Sequence, residues 1–181
     1  MKLKLALNVA LTLTLLSAAV PLAMSQTADT VPASHPDAKT DPHHGCPMMA
    51  DQQRADEGMG FSQAKTTHHF RLTGDGGVIA VEANDAKDSE SRDQIRMHLT
   101  HIAKAFSTGD FDIPMFVHDQ VPPGVPVMKS LKDAIHYRFE ETDLGGRVVI
   151  SSADQQARAA IHEFLAFQIR EHKTGDSLDV Q

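Results

Sequence analysis

Residues 91–110 have the sequence SRDQIRMHLTHIAKAFSTGD, and a matching stretch, ARAAIHEFLAFQIREHKTGD, follows 66 residues later over residues 157–176. Both stretches place apolar residues at the spacing of an amphipathic helix, and both close with Thr-Gly-Asp, whose glycine suits the end of a helix. The chain is therefore predicted to contain one helix in two copies. The matched residues are Ile95 and Ile161, Leu99 and Leu165, Lys104 and Arg170, and the two closing tripeptides.

A β-hairpin pattern precedes each copy of the helix. Residues 66–84 contain the runs HHFRL and VIAVEA around a glycine-rich turn, and residues 135–151 contain IHYRF and RVVIS around a loop that ends in two glycines. Neither unit can cover its own apolar face, so we expect the two to share one core. The prediction is an α+β domain: a four-stranded, mostly antiparallel sheet with both long helices on one face, plus a short connecting helix near residues 127–134.

The first 25 residues have the pattern of a signal peptide. Lys2 and Lys4 precede an apolar run over residues 5–20, and small residues flank the expected cleavage site. That run is short for a membrane span, so we expect a periplasmic or secreted protein with no membrane span. The predicted organisation is a signal peptide (1–25), a disordered leader containing His, Met and Cys (26–60), the duplicated domain (61–176) and a tail (177–181).

The net charge limits the classes of partner, and the cysteine count limits the possible disulfides. The formal net charge is -7, and it becomes -9 once the two lysines of the signal peptide are removed. Such an acidic chain repels phosphate backbones, so we expect no nucleic-acid partner and favour a cationic one. Cys46 is the only cysteine, which rules out an internal disulfide in a compartment where disulfides persist.

Three histidines occupy positions that the second copy fills with apolar residues. His98 and His101 stand where the second helix has phenylalanines, and His68 stands where the second hairpin has an isoleucine on its core side. The HxxH spacing puts two imidazoles on neighbouring turns, where they could chelate one metal ion, with His68 as a third ligand. HxxH alone also fits ordinary polar residues at a helix edge. The candidates for a fourth ligand are His118, Asp119 and Met115.

A second candidate metal site lies in the leader. Two imidazoles, one thiol and two thioethers fall within seven residues, and this soft ligand set suits Cu(I). The alternative is a leader whose composition happens to be rich in His and Met. The candidate ligands are His43, His44, Cys46, Met48 and Met49.

The outer face of the predicted sheet offers an alternative to a metal site, namely a surface for binding an anion or another protein chain. His69 and His136 match across the repeats, as do Arg71 and Arg138, and all four are predicted to lie opposite the core. Together they would form a basic patch that binds an anion, a partner protein or a second copy of the chain. Shared ancestry of two solvent-facing strands would produce the same matches without any site.

Four blocks of the sequence resemble the recurring blocks of a group of small exported bacterial proteins of unestablished function. The blocks are GFSQAKTTHHFRL, RDQIRMHLTHIAKAF, FVHDQVPPGVPVMK and HEFLAFQIREHKTGD, and they cover residues 60–176. Some members of that group are labelled aspartate carbamoyltransferase. This chain does not support that label, because it lacks the Ser-Thr-Arg-Thr-Arg motif for carbamoyl phosphate and begins with a predicted signal peptide.

The sequence favours a binding role over catalysis. It contains no nucleophile elbow, glycine-rich phosphate loop, HExxH or CxxC motif. The leading hypothesis is a periplasmic metal-binding protein, for copper first and zinc next, in metal buffering or delivery. The alternatives are a non-catalytic interaction domain that uses the open sheet face and, below it, a small metal-assisted enzyme. His162 and His172 are predicted to be surface residues of the second helix.

Overall fold

A computed structural model describes residues 47–181 of the chain, with side chains from Gln53 onward. The elements, in chain order, are α1 (Pro47–Met59), β1 (Thr66–Thr73), β2 (Gly76–Ala83), α2 (Ser89–Ser107), α3 (Asp112–His118), α4 (Val125–Ser130), β3 (His136–Thr142), β4 (Gly145–Ser151) and α5 (Gln155–His172). Short 3₁₀ turns at Gln63–Lys65 and Lys132–Ala134 lead into the two hairpins.

The four strands form one antiparallel sheet in the order β1-β2-β4-β3. The second strands of the two hairpins pair with each other, with Ile79 opposite Val148. This arrangement confirms the predicted four-stranded antiparallel sheet and the α+β class. Each hairpin turns through two residues: Gly74 and Asp75 in the first, and Asp143 and Leu144 in the second, where the two glycines expected in the loop belong to β4.

Both long helices pack on one face of the sheet. The first, α2, contacts β2, β3 and β4, while α5 contacts β1 and β2. The buried stripe of α2 runs through Ile95, Leu99, Ile102 and Phe106, at the helical spacing seen in the sequence. Gly77 of β2 lies under α5, and a Cβ there would overlap the Leu165 side chain. The missing side chain therefore allows α5 to approach the sheet closely.

The two helices begin with aspartate caps. For α2 the cap is Asp88, which accepts a hydrogen bond from the Ser91 amide at 3.0 Å. For α5 the cap is Asp154, which accepts from the Ala157 amide at 2.9 Å. The Ser152 hydroxyl is buried and donates to the Ala134 carbonyl at 2.7 Å, which ties the start of α5 to the approach of β3.

The folded part of the chain begins before the expected boundary at Gly60. Residues 47–59, predicted as the end of a disordered leader, form α1, which packs against α3. Ala55 and Met59 lie on consecutive turns of one face and are both buried. These two side chains give α1 an apolar face, although most residues of the segment are polar. Residues 26–46 of the predicted leader, like the predicted signal peptide, lie outside the described residues.

The segment that connects the two repeats, between α2 and β3, is anchored in the core by one aromatic residue. Phe111 is fully buried and stacks on Phe106, with 4.3 Å between the ring centroids. It is followed by α3, which the sequence did not predict, and then by α4, which starts at Val125 rather than near residue 127. A Cβ at Gly124 would overlap the Ala160 carbonyl oxygen, so this turn passes tightly against α5.

The C-terminal tail lies along the outer edge of β1. The Asp176 carboxylate accepts hydrogen bonds from the Phe70 amide at 2.9 Å and lies 3.0 Å from His69 Nδ1. Burial opposes ionisation of Asp176, but hydrogen bonds with the Phe70 amide and with the side chains of Thr174 and His69 hold the pKa of the carboxyl below its usual value. Further along, the Gln181 amide donates to the Leu72 carbonyl at 2.9 Å. Within residues 47–181, no helix is both long and apolar enough to cross a bilayer.

Candidate functional site

A cavity of about 60 Å³ lies between the sheet and the helices that cover it. Four histidines contribute polar groups to its wall, each from a different element: His68 from β1, His98 from α2, His118 from α3 and His172 from α5. Gln168 of α5 is the other polar residue of the wall, and the remaining lining residues are apolar. We refer to the four histidines as the histidine cluster.

Three of the ligands that the sequence predicts for a folded metal site reach this cavity. They are His68, His98 and His118, which converge although they are distant in the chain. His101 does not join them, since it is exposed and lies off the buried stripe of α2. The HxxH pair therefore does not act as one unit at this cavity. Among the described residues, no three His, Cys, Asp or Glu side chains are already arranged to hold a metal ion.

His172 is the member of the cluster that sequence reasoning missed. It was predicted to be a surface residue at the end of α5, but its ring faces the cavity. The repeat carried a signal for this position, because His172 matches Phe106 and Gln168 matches Ile102, which are both buried in α2. Comparing the copies in both directions would have placed His172 on the core side of its helix.

Ring contacts connect the cluster. His172 stacks on His68 with 5.2 Å between centroids and 22° between planes, and it meets His118 edge-on at 5.2 Å. Phe61 contacts His68 at 5.8 Å and His98 at 5.4 Å. Phe61 and the four imidazoles of the cavity wall are therefore connected through ring contacts.

The four imidazoles are half-buried, and their loss of contact with water keeps them neutral. Desolvation, with a smaller contribution from neighbouring histidines, lowers the pKa of His68 and of His98 to about 4. The same causes lower the pKa of His172 to about 3. Burial also lowers the pKa of His118, although its hydrogen bond with Gln168 opposes that shift. At neutral pH each ring therefore has a nitrogen lone pair available for a ligand.

Gln168 brings an unsatisfied polar group to the same cavity. Its Oε1 lies 3.0 Å from His118 Nε2, and since an amide oxygen only accepts, this contact assigns the proton of His118 to Nε2. His118 Nδ1 is then its free acceptor. Gln168 is 4% exposed, and its Nε2 has no hydrogen-bond partner among the described residues. A buried amide group without a partner is costly, which points to an oxygen-bearing ligand or water in the cavity.

Met59 adds a thioether to the wall of the cavity. It belongs to α1, in the segment that the sequence assigned to the leader. Two other candidate ligands, Met48 and Met49, also fall in α1, but their side chains lie outside the described residues, as do His43, His44 and Cys46.

The outer face of the sheet carries the second set of candidates. Arg71, Arg138 and His136 are exposed there, as the alternation of the strands predicts. His69 is half-buried against Asp176 rather than free. Arg138 forms an ion pair with Glu140. The expected basic patch is therefore partly neutralised by carboxylates.

The comparisons with known proteins add no family to this description. No family model matches the chain, and no curated protein or solved structure matches it significantly. The resemblance to the group of exported proteins stays an expectation based on the four sequence blocks.

Proposed function

We propose that this protein binds a transition-metal ion in the histidine-lined cavity, copper first and zinc next, and that it buffers or delivers that metal outside the cytoplasm. One observation carries the proposal: four imidazoles from four separate elements line a single small cavity whose other walls are mostly apolar. Such convergence requires long-range folding and is not produced by a run of histidines in the sequence.

The second repeat supports a functional reason for these imidazoles. It fills the position of His98 with Phe164, and the first repeat fills the position of His172 with Phe106. Both phenylalanines are buried, so the fold accepts apolar rings at these positions. Burying an imidazole gains less than burying a phenyl ring, because its polar nitrogens lose water. Titratable groups that are strongly shifted and gathered in a cavity are common at functional sites.

The ligand chemistry favours copper over the hard divalent cations. Of the described residues that line the cavity, none is acidic, whereas Ca²⁺ and Mg²⁺ require oxygen ligands. Neutral imidazoles bind both copper and zinc, and the Met59 thioether shifts the preference towards Cu(I). A bound ion with an oxygen ligand would also give the Gln168 amide an acceptor.

Binding in this cavity requires movement of the rings. His68 and His172 lie nearly parallel at 5.2 Å, so their nitrogens do not converge on one point. Rotation of either ring about its side-chain bonds would open the stack towards the cavity. Metal loading is therefore expected to change the environment of Phe61 and to stabilise the fold by binding the native state.

The test is metal titration of the mature protein after removal of bound metal. We expect about one equivalent of Cu(I) per chain, measured anaerobically against a chromophoric chelator, with Zn²⁺ titrated separately. His98→Phe and His172→Phe should each weaken affinity at least about tenfold, because each removes one ligand and mimics the other repeat. His101→Ala, on the same helix but exposed, is the matched control.

A second set of variants separates the cavity from the leader. Replacing Cys46 by Ser together with His43→Ala and His44→Ala should leave the cavity site intact. If that variant loses the metal while His98→Phe and His172→Phe retain it, binding belongs to the leader. Equal affinity in every variant would reject both sites.

A further inference from the structure

The two edges of the sheet differ in how their backbone groups are satisfied. On β1 two outward-pointing backbone groups hydrogen-bond to the C-terminal segment. The Phe70 amide donates to the Asp176 carboxylate, and the Leu72 carbonyl accepts from the Gln181 amide. The repeat matches Phe70 and Leu72 with Tyr137 and Phe139 of β3, whose backbone groups therefore also point outward. Within the described part of the chain, no residue outside β4 hydrogen-bonds to the backbone of Tyr137, Phe139 or Glu141.

The duplication explains this difference. Asp110 follows α2 at the position that Asp176 holds after α5. Instead of capping an edge strand, the Asp110 carboxylate accepts from the Asp112 amide at 2.9 Å, where the chain turns into α3. The segment that covers the edge of β1 in one copy thus turns into α3 in the other, and no residue of the described range 47–181 covers the edge of β3. An open edge strand is a template for pairing with another chain.

We propose that β3 pairs antiparallel with β3 of a second copy, on a two-fold axis at Phe139, giving a symmetric dimer with a continuous eight-stranded sheet. This register overlaps all seven residues of β3, His136–Thr142. The outward-facing residues then form the hydrogen-bonded pairs, with Phe139 opposite its own copy and Tyr137 opposite Glu141 of the partner subunit. The axis is perpendicular to the sheet, so both helix layers lie on the same side.

The order of charges along β3 supports a second copy as the occupant. In this register Arg138 lies opposite the partner's Glu140, and symmetry repeats the pair. These are non-hydrogen-bonded positions, where facing side chains are closest, with Cβ atoms about 4.5–5.5 Å apart. Moving the axis to Tyr137 would place Arg138 opposite His136 of the partner subunit and lose both ion pairs. Arg138 and Glu140 are therefore complementary to their own copies when the two-fold axis lies at Phe139, and not when it lies at Tyr137.

The side chains of β3 suit this interface as well. Tyr137 and Phe139 pack partly against the core and remain partly exposed at the edge. Dimerisation would place the two Phe139 rings side by side and extend the apolar layer across the axis. On the outer face, Glu140 already accepts from Arg147 of the neighbouring strand at 2.6 Å and pairs with Arg138 of its own strand, so the partner's Arg138 would add a fourth charge to this network.

The experiment measures the association of the mature, full-length chain by analytical ultracentrifugation and native mass spectrometry over a range of concentrations. Wild type should dimerise, and Arg138→Glu or Glu140→Arg alone should weaken dimerisation at least about tenfold, because each creates two like-charged pairs. An equal mixture of the two variants should form a heterodimer, since both facing pairs then have opposite charges. Thermal melting checks that each variant is folded.

Arg71→Glu is the matched control. Arg71 is exposed and lies in the same row across the sheet, but on β1, whose edge the tail covers. This change should leave dimerisation unaltered. In the wild-type dimer, amide exchange at Tyr137, Phe139 and Glu141 should slow with rising concentration. A monomeric wild type, a mixture that stays monomeric, or equal dissociation by Arg71→Glu would each overturn the proposal, whatever the outcome of the metal titrations.

Discussion

Two buried phenylalanines and two members of the histidine cluster occupy related positions of the repeat and differ in chemistry. Phe106, Phe111 and Phe164 form an aromatic cluster, with stacked and edge-on contacts at centroid distances of 4.3–6.0 Å. In the repeat, Phe106 corresponds to His172 and Phe164 to His98. The same helix-on-sheet frame thus supports an aromatic cluster and, beside it, a cavity that is lined by four imidazoles as well as by Phe106 and Phe164.

This difference suggests a division of roles between the two regions. A buried phenylalanine contributes about 1.5–3 kcal/mol through loss of apolar surface to water, and edge-on pairs add to that. Buried neutral imidazoles contribute less and leave space beside them. The aromatic cluster therefore supports the fold, while the histidine cluster retains the open volume and lone pairs that binding requires. Substitutions in each region test that division, and those in the aromatic cluster should have the largest effect.

Truncating the aromatic cluster should damage the fold most. Phe111→Ala is expected to lower the free energy of unfolding by about 3–5 kcal/mol, because it removes a fully buried ring and leaves a cavity. Urea denaturation followed by circular dichroism measures this. Phe116→Ala, at a residue that is 49% exposed, is the control and should change stability by less than about 0.5 kcal/mol. Similar losses in both variants would contradict the assigned role of Phe111.

Acid should weaken the histidine cluster before it affects the aromatic one. The folded-state pKa values of His68, His98 and His172 are about 4, 4 and 3, below the ordinary value of 6.5. Between pH 6.5 and about 4 the unfolded chain therefore binds more protons than the native one, so stability falls as pH falls through this range. Urea midpoints at several pH values should show this decline.

The matched comparison for the pH effect is a variant with His98→Phe and His172→Phe. Its decline between pH 6.5 and 4 should be clearly shallower than that of the wild type, since two of the shifted groups are gone. Carboxylates are unchanged in the variant, so any slope that they cause stays in both proteins. Equal slopes would mean that the imidazoles are not held neutral by burial.

His172→Phe should slightly stabilise the protein at neutral pH while impairing its binding. The added ring volume occupies part of the 60 Å³ cavity, and we expect a gain of about 1 kcal/mol in the free energy of unfolding. Thermal melting of the metal-free variant beside the metal-free wild type measures the gain. A loss of more than about 1 kcal/mol would indicate that the site is already packed for an imidazole.

The smallest effect is expected at His101. It aligns with the buried Phe167, yet it is exposed on α2. His101→Ala should change stability by less than about 0.5 kcal/mol, whereas Phe167→Ala should cost more, because the Phe167 ring packs edge-on against His118 at 5.0 Å. Denaturation of the two variants side by side tests this. Equal losses would show that the aligned positions are equivalent after all.

Several parts of the site were predictable from the sequence. The comparison of repeats identified His68 and His98 as imidazoles at core-facing positions, and both line the cavity. The same comparison, read in the other direction, would have identified His172. His101 was predicted as a ligand beside His98, but it is exposed and does not line the cavity, because alignment of two copies does not show which neighbour covers each position.

The sequence by itself determined the duplication, the strands and long helices, the faces that they bury and the antiparallel sheet. These features depend on side-chain periodicity and local turn chemistry, which are properties of short segments. Tertiary structure decided the rest: His118 and His172 meet at one cavity, α1 contributes Met59, and the tail covers the edge of β1, whereas no residue within 47–181 covers the edge of β3. These outcomes depend on how closely the elements approach one another. Gly77 and Gly124 each allow a close contact with α5, and Phe111 fixes the crossing segment in the core. No local sequence pattern determines those distances.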